Sequence, residues 1–152
     1  MTRINSAIPV KALTDEHLLA EHREIKRICA QFKSSILEGK KSVKIPERFT
    51  LGSGHVTFFL DKGLFTFHRY RAIYQECRNR GFQVEDYSSN WDIYKKAPAY
   101  YLDYSCTEEE YRLLKERILE RIGSSPKASF HYYSISVHKE RAAELLVSTP
   151  FE

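Results

Sequence analysis

The chain has 152 residues, of which 42% are hydrophobic and 13% aromatic, and its formal net charge is +4. This length and composition suffice for one buried core, so they exclude an intrinsically disordered protein and predict a single domain. The three cysteines are far apart and no apolar run is long enough to span a bilayer. We therefore expect a soluble, cytoplasmic protein without a signal peptide, a membrane span, a disulfide framework or a zinc site.

The N-terminus offers the first candidate for chemistry. Cytosolic processing usually removes Met1 when the second residue is small, as Thr2 is. The exposed α-amine has an ordinary pKa of about 7.7–8.0, against about 10.4 for lysine, so part of it is unprotonated near neutral pH. Such amines attack carbonyl carbons and form Schiff bases, and a nearby carboxylate such as Glu24 could shuttle the protons. An inert terminus is the alternative at this point.

The first predicted helix runs from Thr14-Asp15, either of which can cap it, to about Leu37. Its apolar residues recur at helical spacing along one side: Leu18, Ile25, Cys29, Phe32 and Ile36. At 100° per residue, Glu24 lies roughly 115° from the centre of this stripe. The helix therefore places a carboxylate at the boundary of the core, partly shielded and still reachable.

Three other polar residues share this helix with Glu24. His17 lies nearly in line with Glu24 two turns earlier, and Arg23 and Arg27 project together from the neighbouring, more exposed side. A solvated surface position is the alternative for each arginine taken alone. Their clustering with Arg3 near the N-terminus favours contacts with phosphate groups.

The second predicted helix begins near Asp61-Lys62 and ends at Gly81, a residue that readily takes the left-handed conformation of a helix stop. Its sequence is rich in basic side chains: His68, Arg69, Arg71, Arg78 and Arg80. We expect these residues to form a basic surface along the helix.

The third predicted helix begins after Thr107, whose spacing to Glu110 is that of a capping box, and it ends at Gly123. Arg117 and Arg121 are four residues apart on it, so they share one face. An aromatic segment, residues 129–134, and a short helix from His138 to Leu146 follow. These elements predict an all-α, mainly helical fold. We expect a single compact domain over residues 1–152, built from three principal helices and irregular aromatic-rich loops, with residues 139–152 as an additional tail.

The other motifs of the sequence are weaker indications of function. Gly52-Ser53-Gly54 lacks the third glycine and the βαβ context of a phosphate-binding loop, so we expect a tight turn there. His55 fits a hydrogen-bonded structural histidine better than a ligand. Tyr132 and Tyr133 have the flat rings that stack on displaced bases, with core packing as the alternative. The motifs of zinc peptidases, kinases and serine hydrolases do not occur, and no acidic cluster suggests a metal.

Short stretches spread over roughly residues 1–134 match one pattern, in order and almost without gaps. They are Met1-Thr2-Arg3-Ile4-Asn5, His17-Leu18, Ala20-Glu21, Arg23-Glu24 through Arg27, Leu51-Gly52-Ser53-Gly54-His55-Val56-Thr57-Phe58-Phe59, Asp61-Lys62, Glu76-Cys77, Arg80-Gly81-Phe82, Asp103-Tyr104, Arg117 and Tyr132-Tyr133. In these stretches the chain resembles the phage endonuclease V type of pyrimidine-dimer DNA glycosylase/AP lyase.

The resemblance implies a single α-helical domain that acts on double-stranded DNA containing pyrimidine dimers. It implies cleavage of the glycosidic bond of a cyclobutane dimer followed by a strand cut, with no metal or cofactor. The family's nucleophile matches the α-amine of Thr2, and its essential carboxylate matches Glu24. We expect a monomer that kinks the duplex and turns out the base opposite the lesion.

The expected DNA-binding residues come from the resemblance and from the basic and aromatic pattern together: Arg3, His17, Arg23, Arg27, Arg117, Arg121, Tyr132 and Tyr133. Of these, Arg23 and Arg27 are expected beside the active amine. Arg117 and Arg121 are expected farther from the chemistry, on the flanking DNA backbone.

The chain departs from the family at three places. Ser129 followed by Phe130 stands where the family has a tryptophan, His22 stands where it has a tyrosine, and residues 139–152 have no counterpart. These departures do not affect the expected catalytic residues, Thr2 and Glu24. They concern which lesion the protein prefers and how strongly it binds DNA. Two alternatives remain open: an AP lyase or glycosylase for other damaged pyrimidines, and a non-catalytic DNA-bending protein, which retention of Met1 would favour.

Overall fold

The computed structural model describes residues 3–151 and is mainly helical, which confirms the helical fold class. In chain order its elements are α1 (Asp15–Glu24), α2 (Arg27–Phe32), α3 (His55–Phe58), α4 (Gly63–Asn79), α5 (Glu108–Ser124), β1 (Ser129–Tyr132), β2 (Ile135–His138) and α6 (Lys139–Val147). Short 3₁₀ helices cover Val10–Ala12, Ser88–Lys96 and Pro98–Tyr100. Three principal helices are thus an incomplete description, since residues 3–151 contain six α-helices and an antiparallel hairpin.

The first predicted helix is divided in the structure. Thr14 caps α1 by accepting a hydrogen bond from the His17 amide at 3.2 Å, so the predicted start is confirmed. The carbonyls of Ile25 and Lys26 accept from amides three residues on, at 3.2 and 3.0 Å. This tighter turn separates α1 from α2, and a π-helical turn over Lys33–Leu37 ends the segment. The prediction of one continuous helix was therefore wrong.

The termini of α4 and α5 follow their sequence signals. Gly81 has a φ of +85°, and the amides of Gly81 and Phe82 bond back into the last turn of α4 at 2.9 Å each. At α5 the predicted capping box is present. The Glu110 amide donates to Thr107 Oγ1 at 3.1 Å, and the Thr107 amide donates to Glu110 Oε2 at 3.0 Å.

The segment before α1 lies inside the hydrophobic core. Ile4 and Ile8 are both 0% exposed and belong to the same core cluster as Leu18 of α1, Ile73 of α4 and Ile118 of α5. Burying one isoleucine side chain contributes about 1.5–3 kcal/mol. These two side chains therefore anchor the segment before α1 to the core that the helices share.

Two buried ion pairs join α4 to α1. Arg69 donates to both carboxylate oxygens of Glu21 at 2.8 and 3.0 Å. Arg80 donates to Glu76 and to Asp15, each at 2.9 Å. The predicted basic surface of α4 is therefore wrong for Arg69 and Arg80, whereas its other members are exposed. Both arginines lie on the face that packs against α1, where carboxylates compensate their charge.

The cysteines are free. Cys29, on the apolar stripe of the first predicted helix, is buried, and Cys77 of α4 is buried as well. Burial raises the pKa of the Cys77 thiol to about 11. In the described part of the chain, no helix combines the length and apolar character needed to cross a bilayer. Over the same residues, no three His, Cys, Asp or Glu side chains are grouped so that they could hold a metal ion.

Candidate active site

A small cavity of about 110 Å³ opens between the N-terminal segment, α1 and α5. Its lining is formed by Arg3, Asn5, His17, Ala20, Glu21, Glu24, Arg117, Ile118 and Arg121. Five of the residues expected to act on DNA are among them: Arg3, His17, Glu24, Arg117 and Arg121. The fold thus gathers a carboxylate, a histidine and three arginines from separate parts of the chain.

The N-terminal segment is fixed beside this cavity by its own backbone. The Arg3 amide donates a hydrogen bond to Glu24 Oε2 at 3.3 Å. The Ile4 amide donates to Nε2 of His55 at 3.0 Å. Glu24 is half-buried, as the helical pattern predicts. Thr2, the expected nucleophile, lies outside the described residues.

His55 acts as a structural histidine, which confirms that interpretation of the sequence. Its Nδ1 donates to the Thr50 carbonyl at 2.8 Å, so its Nε2 is left as the acceptor for Ile4. Burial, and after it the nearby positive charges of Arg117 and Arg3, lower the pKa of His55 to about 4. The ring is therefore neutral near pH 7, and it can hold the N-terminal segment through an uncharged nitrogen.

The two carboxylates of the cavity differ in their surroundings. Glu21 is 1% exposed, and its oxygens are bonded by Arg69 and by the side-chain amide of Asn5, which donates at 3.1 Å. Glu24 is half-buried and accepts a backbone amide. Glu21 is therefore a structural anion, and Glu24 is the carboxylate free to face a substrate. The sequence reasoning did not assign these roles to Asn5 and Glu21, although Glu21 lies on the same side of α1 as Glu24.

Arg117 is the most deeply buried of the three arginines that line the cavity. It is 9% exposed, and its Nη2 lies 3.5 Å from Asn5 Oδ1. Burial, and after it the positive charges of Arg3 and Arg121, lower the pKa of Arg117 to about 10. The pKa of Arg3 is also lowered, first by burial and then by Arg121. Guanidinium groups are cations in proteins, so the three arginines give the cavity a concentrated positive field.

His17 forms the wall of the cavity nearest the hairpin. Its Nδ1 is hydrogen-bonded to Thr14 Oγ1 at 2.7 Å, and its ring stacks on Phe130 with 5.9 Å between ring centroids. Burial lowers the pKa of His17. Phe130 is buried on β1. The aromatic segment after α5 therefore contributes to the site through Phe130, which supports the ring of His17.

The arginines are arranged differently from the sequence expectation. Arg117 and Arg121 line the cavity together with Glu24, so the expectation that they lie far from the chemistry was wrong. Arg23 and Arg27 are exposed on α1 and α2 and do not line the cavity. The four-residue spacing of each pair predicts a shared helix face, but it does not tell which face packs beside the N-terminal segment.

The structure does not bring Tyr132 and Tyr133 to the cavity. Both rings lie over the Arg80 guanidinium, each with 4.7 Å between the ring centroid and Cζ. The Tyr133 hydroxyl donates to Glu76 Oε2 at 2.7 Å, and the Tyr132 hydroxyl donates to the Lys11 carbonyl. Their hydroxyl groups are thus used within the protein, although Tyr133 remains 40% exposed.

A family of known proteins matches the part of the chain that contains Glu24. The family model described as pyrimidine dimer DNA glycosylase matches residues 1–90, which is more than half of the chain. The match includes the N-terminal segment, α1 with Glu24, and His55, whereas α5 and the hairpin lie beyond it. Members of this family are glycosylases of DNA repair, so DNA is the substrate. The chain belongs to the pyrimidine dimer DNA glycosylase family.

Proposed function

We propose that the protein excises cyclobutane pyrimidine dimers from double-stranded DNA by covalent catalysis, with the α-amine of Thr2 as nucleophile. One observation supports this most directly: the Arg3 amide nitrogen lies 3.3 Å from Glu24 Oε2. The α-nitrogen of residue 2 is three covalent bonds away from that amide nitrogen. Once Met1 is removed, a free amine is therefore tethered next to the carboxylate of Glu24.

The reaction has two stages. The amine attacks C1′ of the damaged nucleotide, and the C1′–N bond breaks with its electron pair leaving on the base. The sugar ring opens, and the nitrogen and C1′ form an imine. Glu24 stabilises the positive charge that develops at C1′ and assists ring opening. It then takes a proton from C2′, and the strand is cut by β-elimination.

The positive field of the cavity supports both stages. Arg3, Arg117 and Arg121 bind phosphate groups through charge-assisted hydrogen bonds. Their field also disfavours a further positive charge beside them, so a larger fraction of an amine in that position is unprotonated near neutral pH. The scheme uses groups of the chain alone. We therefore propose that one copy of the protein acts without a metal or a cofactor.

Recognition of the lesion depends on the shape of the duplex. A pyrimidine dimer weakens local pairing and lowers the free energy needed to bend DNA. We propose that Arg23 and Arg27, which are exposed on α1 and α2, bind the DNA backbone on one side of the lesion. A kink around the lesion then brings C1′ to the amine, and the base opposite the lesion turns out of the helix.

Blocking the amine tests this function. Thr2→Leu introduces a bulky second residue that prevents removal of Met1, whereas Thr2→Ser keeps a small one. We expect the serine variant to retain dimer excision and the leucine variant to lose it, with intact mass showing which chains keep Met1. Binding of each variant to damaged duplex serves as the folding control.

Full excision by a chain that retains Met1 would contradict the proposal. If a chain without Met1 bound and bent damaged DNA but released no base, the alternative of a non-catalytic DNA-bending protein would be favoured. Activity on abasic sites or on other damaged pyrimidines, without activity on dimers, would favour the alternative AP lyase or glycosylase.

A further inference from the structure

The partners of Arg117 do not compensate its charge. It is 9% exposed, and within the described residues it forms no ion pair. Its Nη2 lies 3.5 Å from the neutral side-chain oxygen of Asn5. Its Nη1 is buried without a hydrogen-bond partner. The buried carboxylate of the same cavity, Glu21, is already bonded by Arg69 and Asn5. Arg117 is thus a buried cation with one donor nitrogen to spare.

The neighbours of Arg117 add to this imbalance. Arg3 and Arg121 line the same cavity, and the three arginines also line a second, wider groove of about 550 Å³. A buried charge without a counter-ion destabilises a fold. The arrangement is therefore suited to an anion that arrives with the substrate, and the anions of DNA are its phosphates.

We propose that Arg117 is a catalytic residue of the strand cut, in which it binds the phosphate on C3′ of the damaged nucleotide and stabilises that phosphate as it leaves. The inference rests on the function proposed above. It assigns Arg117 to one chemical step, which goes beyond a general contribution to DNA affinity.

The atoms and electrons of this step balance within the groups named. The imine makes the C2′ hydrogen acidic, and the Glu24 carboxylate removes it as a proton. The C2′–H electron pair forms a C2′=C3′ double bond conjugated with the imine, and the C3′–O3′ bond breaks with its pair on oxygen. The departing phosphate changes from a diester with one negative charge to a monoester with nearly two, and the proton on Glu24 balances this charge.

Arg117 should act mainly on this step, because only there does the phosphate gain charge. When Arg117 is replaced, Arg3 and Arg121 still supply the positive field of the cavity during imine formation. Glycosidic cleavage and imine formation leave the C3′ phosphate a diester throughout. An interaction that strengthens only as charge develops lowers the barrier of that step and not of earlier ones. The unpartnered Nη1 of Arg117 is already buried, so it needs no desolvation when the charge appears.

Separate measurement of the two stages tests the inference. Arg117→Gln is compared with the unmutated protein and with Arg112→Gln, a control on the exposed side of α5 that pairs with Glu109 and Glu116. Borohydride trapping measures imine formation on dimer-containing duplex, and gel analysis measures strand cleavage. We expect Arg117→Gln to form the imine within about threefold of the unmutated rate and to cut the strand about 10²-fold more slowly, the size of effect typical for one lost charge-stabilising donor.

A modified substrate separates a chemical role from a structural one. Replacing the O3′ atom by sulfur gives a better leaving group that needs less charge stabilisation. We expect this duplex to restore strand cleavage by Arg117→Gln far more than it accelerates the unmutated protein. Arg117→Gln removes an uncompensated charge and should fold. If it does not, Arg117→Lys, which keeps the charge without the forked donors, is measured on the same two duplexes, and a selective sulfur rescue is again expected.

The outcomes distinguish this inference from the proposed function. Equal loss of imine formation and strand cleavage, or equal acceleration of both proteins by sulfur, would overturn the role of Arg117 and leave the covalent mechanism standing. No trapped adduct with the unmutated protein would overturn the proposed function itself.

Discussion

The Ile4 amide donates a hydrogen bond to Nε2 of His55 at 3.0 Å, and this bond ties the N-terminal segment to the start of α3. It exists only while Nε2 carries no proton, because a protonated imidazole has no acceptor nitrogen. The attachment of Ile4, two residues after the proposed nucleophile, therefore depends on the neutral state of a buried histidine.

The first prediction concerns acid pH. The pKa of His55 is about 4 in the folded protein and 6.5 ordinarily, so between these values the unfolded chain binds more protons. Folding stability should therefore fall as the pH falls from about 6.5 to about 4, by about 3 kcal/mol from this residue. The lowered pKa values of His17 and His22 act in the same direction. Urea unfolding at several pH values measures how steeply the free energy of unfolding changes with pH. This dependence should be shallower in His55→Gln. An unchanged slope in that variant would remove His55 from the explanation.

The second prediction concerns Glu24. Glu24→Gln keeps the size and hydrogen bonding of the side chain but cannot hold a proton or a negative charge. Dimer excision should fall by at least about 10²-fold, which is the low end for a positioned acid–base group. Lesion binding should survive. Glu144→Gln, on the exposed surface of α6, is the matched control and should have no effect. Near-normal excision by Glu24→Gln would exclude this carboxylate from the mechanism.

The third prediction concerns the buried pair of Arg69 and Glu21. Arg69→Met leaves the Glu21 carboxylate buried without its main partner, and it should reduce the free energy of unfolding by about 3–5 kcal/mol. The double variant Glu21→Leu with Arg69→Met should lose less than the sum of the two single changes, because it leaves no uncompensated charge. Denaturant unfolding of the four proteins gives the coupling. If the loss in free energy of unfolding in the double variant equalled the sum of the two single losses, Arg69 and Glu21 would not be energetically coupled.

The fourth prediction separates the arginines by their place in the structure. Arg23 and Arg27 are exposed, so replacing either with glutamine should weaken binding to damaged and undamaged duplex alike. Each substitution should reduce the slope of the logarithm of the binding constant against the logarithm of salt concentration by about one. Arg121 lines the cavity, so Arg121→Gln should reduce affinity for damaged duplex more than for undamaged duplex. Equal effects of all three variants on both duplexes would contradict this division.

The sequence predicts the local features of this fold well. The capping box of Thr107 and Glu110, the helix stop at Gly81 and the boundary position of Glu24 all depend on neighbours within one or two helical turns. Such features are set by backbone geometry and short-range hydrogen bonds. They need no knowledge of which elements pack together.

The features that could not be predicted from the sequence depend on contacts between residues that are far apart in the chain. Periodicity gives the faces of α4 but not the carboxylates of α1 that neutralise Arg69 and Arg80. The hairpin was missed because its turn residues Tyr133 and Ser134 have φ values of +53° and +65°, where Asn and Gly are usual. Their amides donate to the carboxylate of Asp15 at 3.1 and 2.8 Å, so a contact more than a hundred residues away stabilises the turn.

The central claim is that the α-amine of residue 2 attacks the damaged nucleotide. Borohydride added during reaction with dimer-containing duplex reduces the imine to a stable bond, and peptide mass spectrometry then locates the DNA on the protein. The account predicts a single adduct on the α-nitrogen of Thr2, in a chain that has lost Met1. An adduct on a lysine side chain would contradict it.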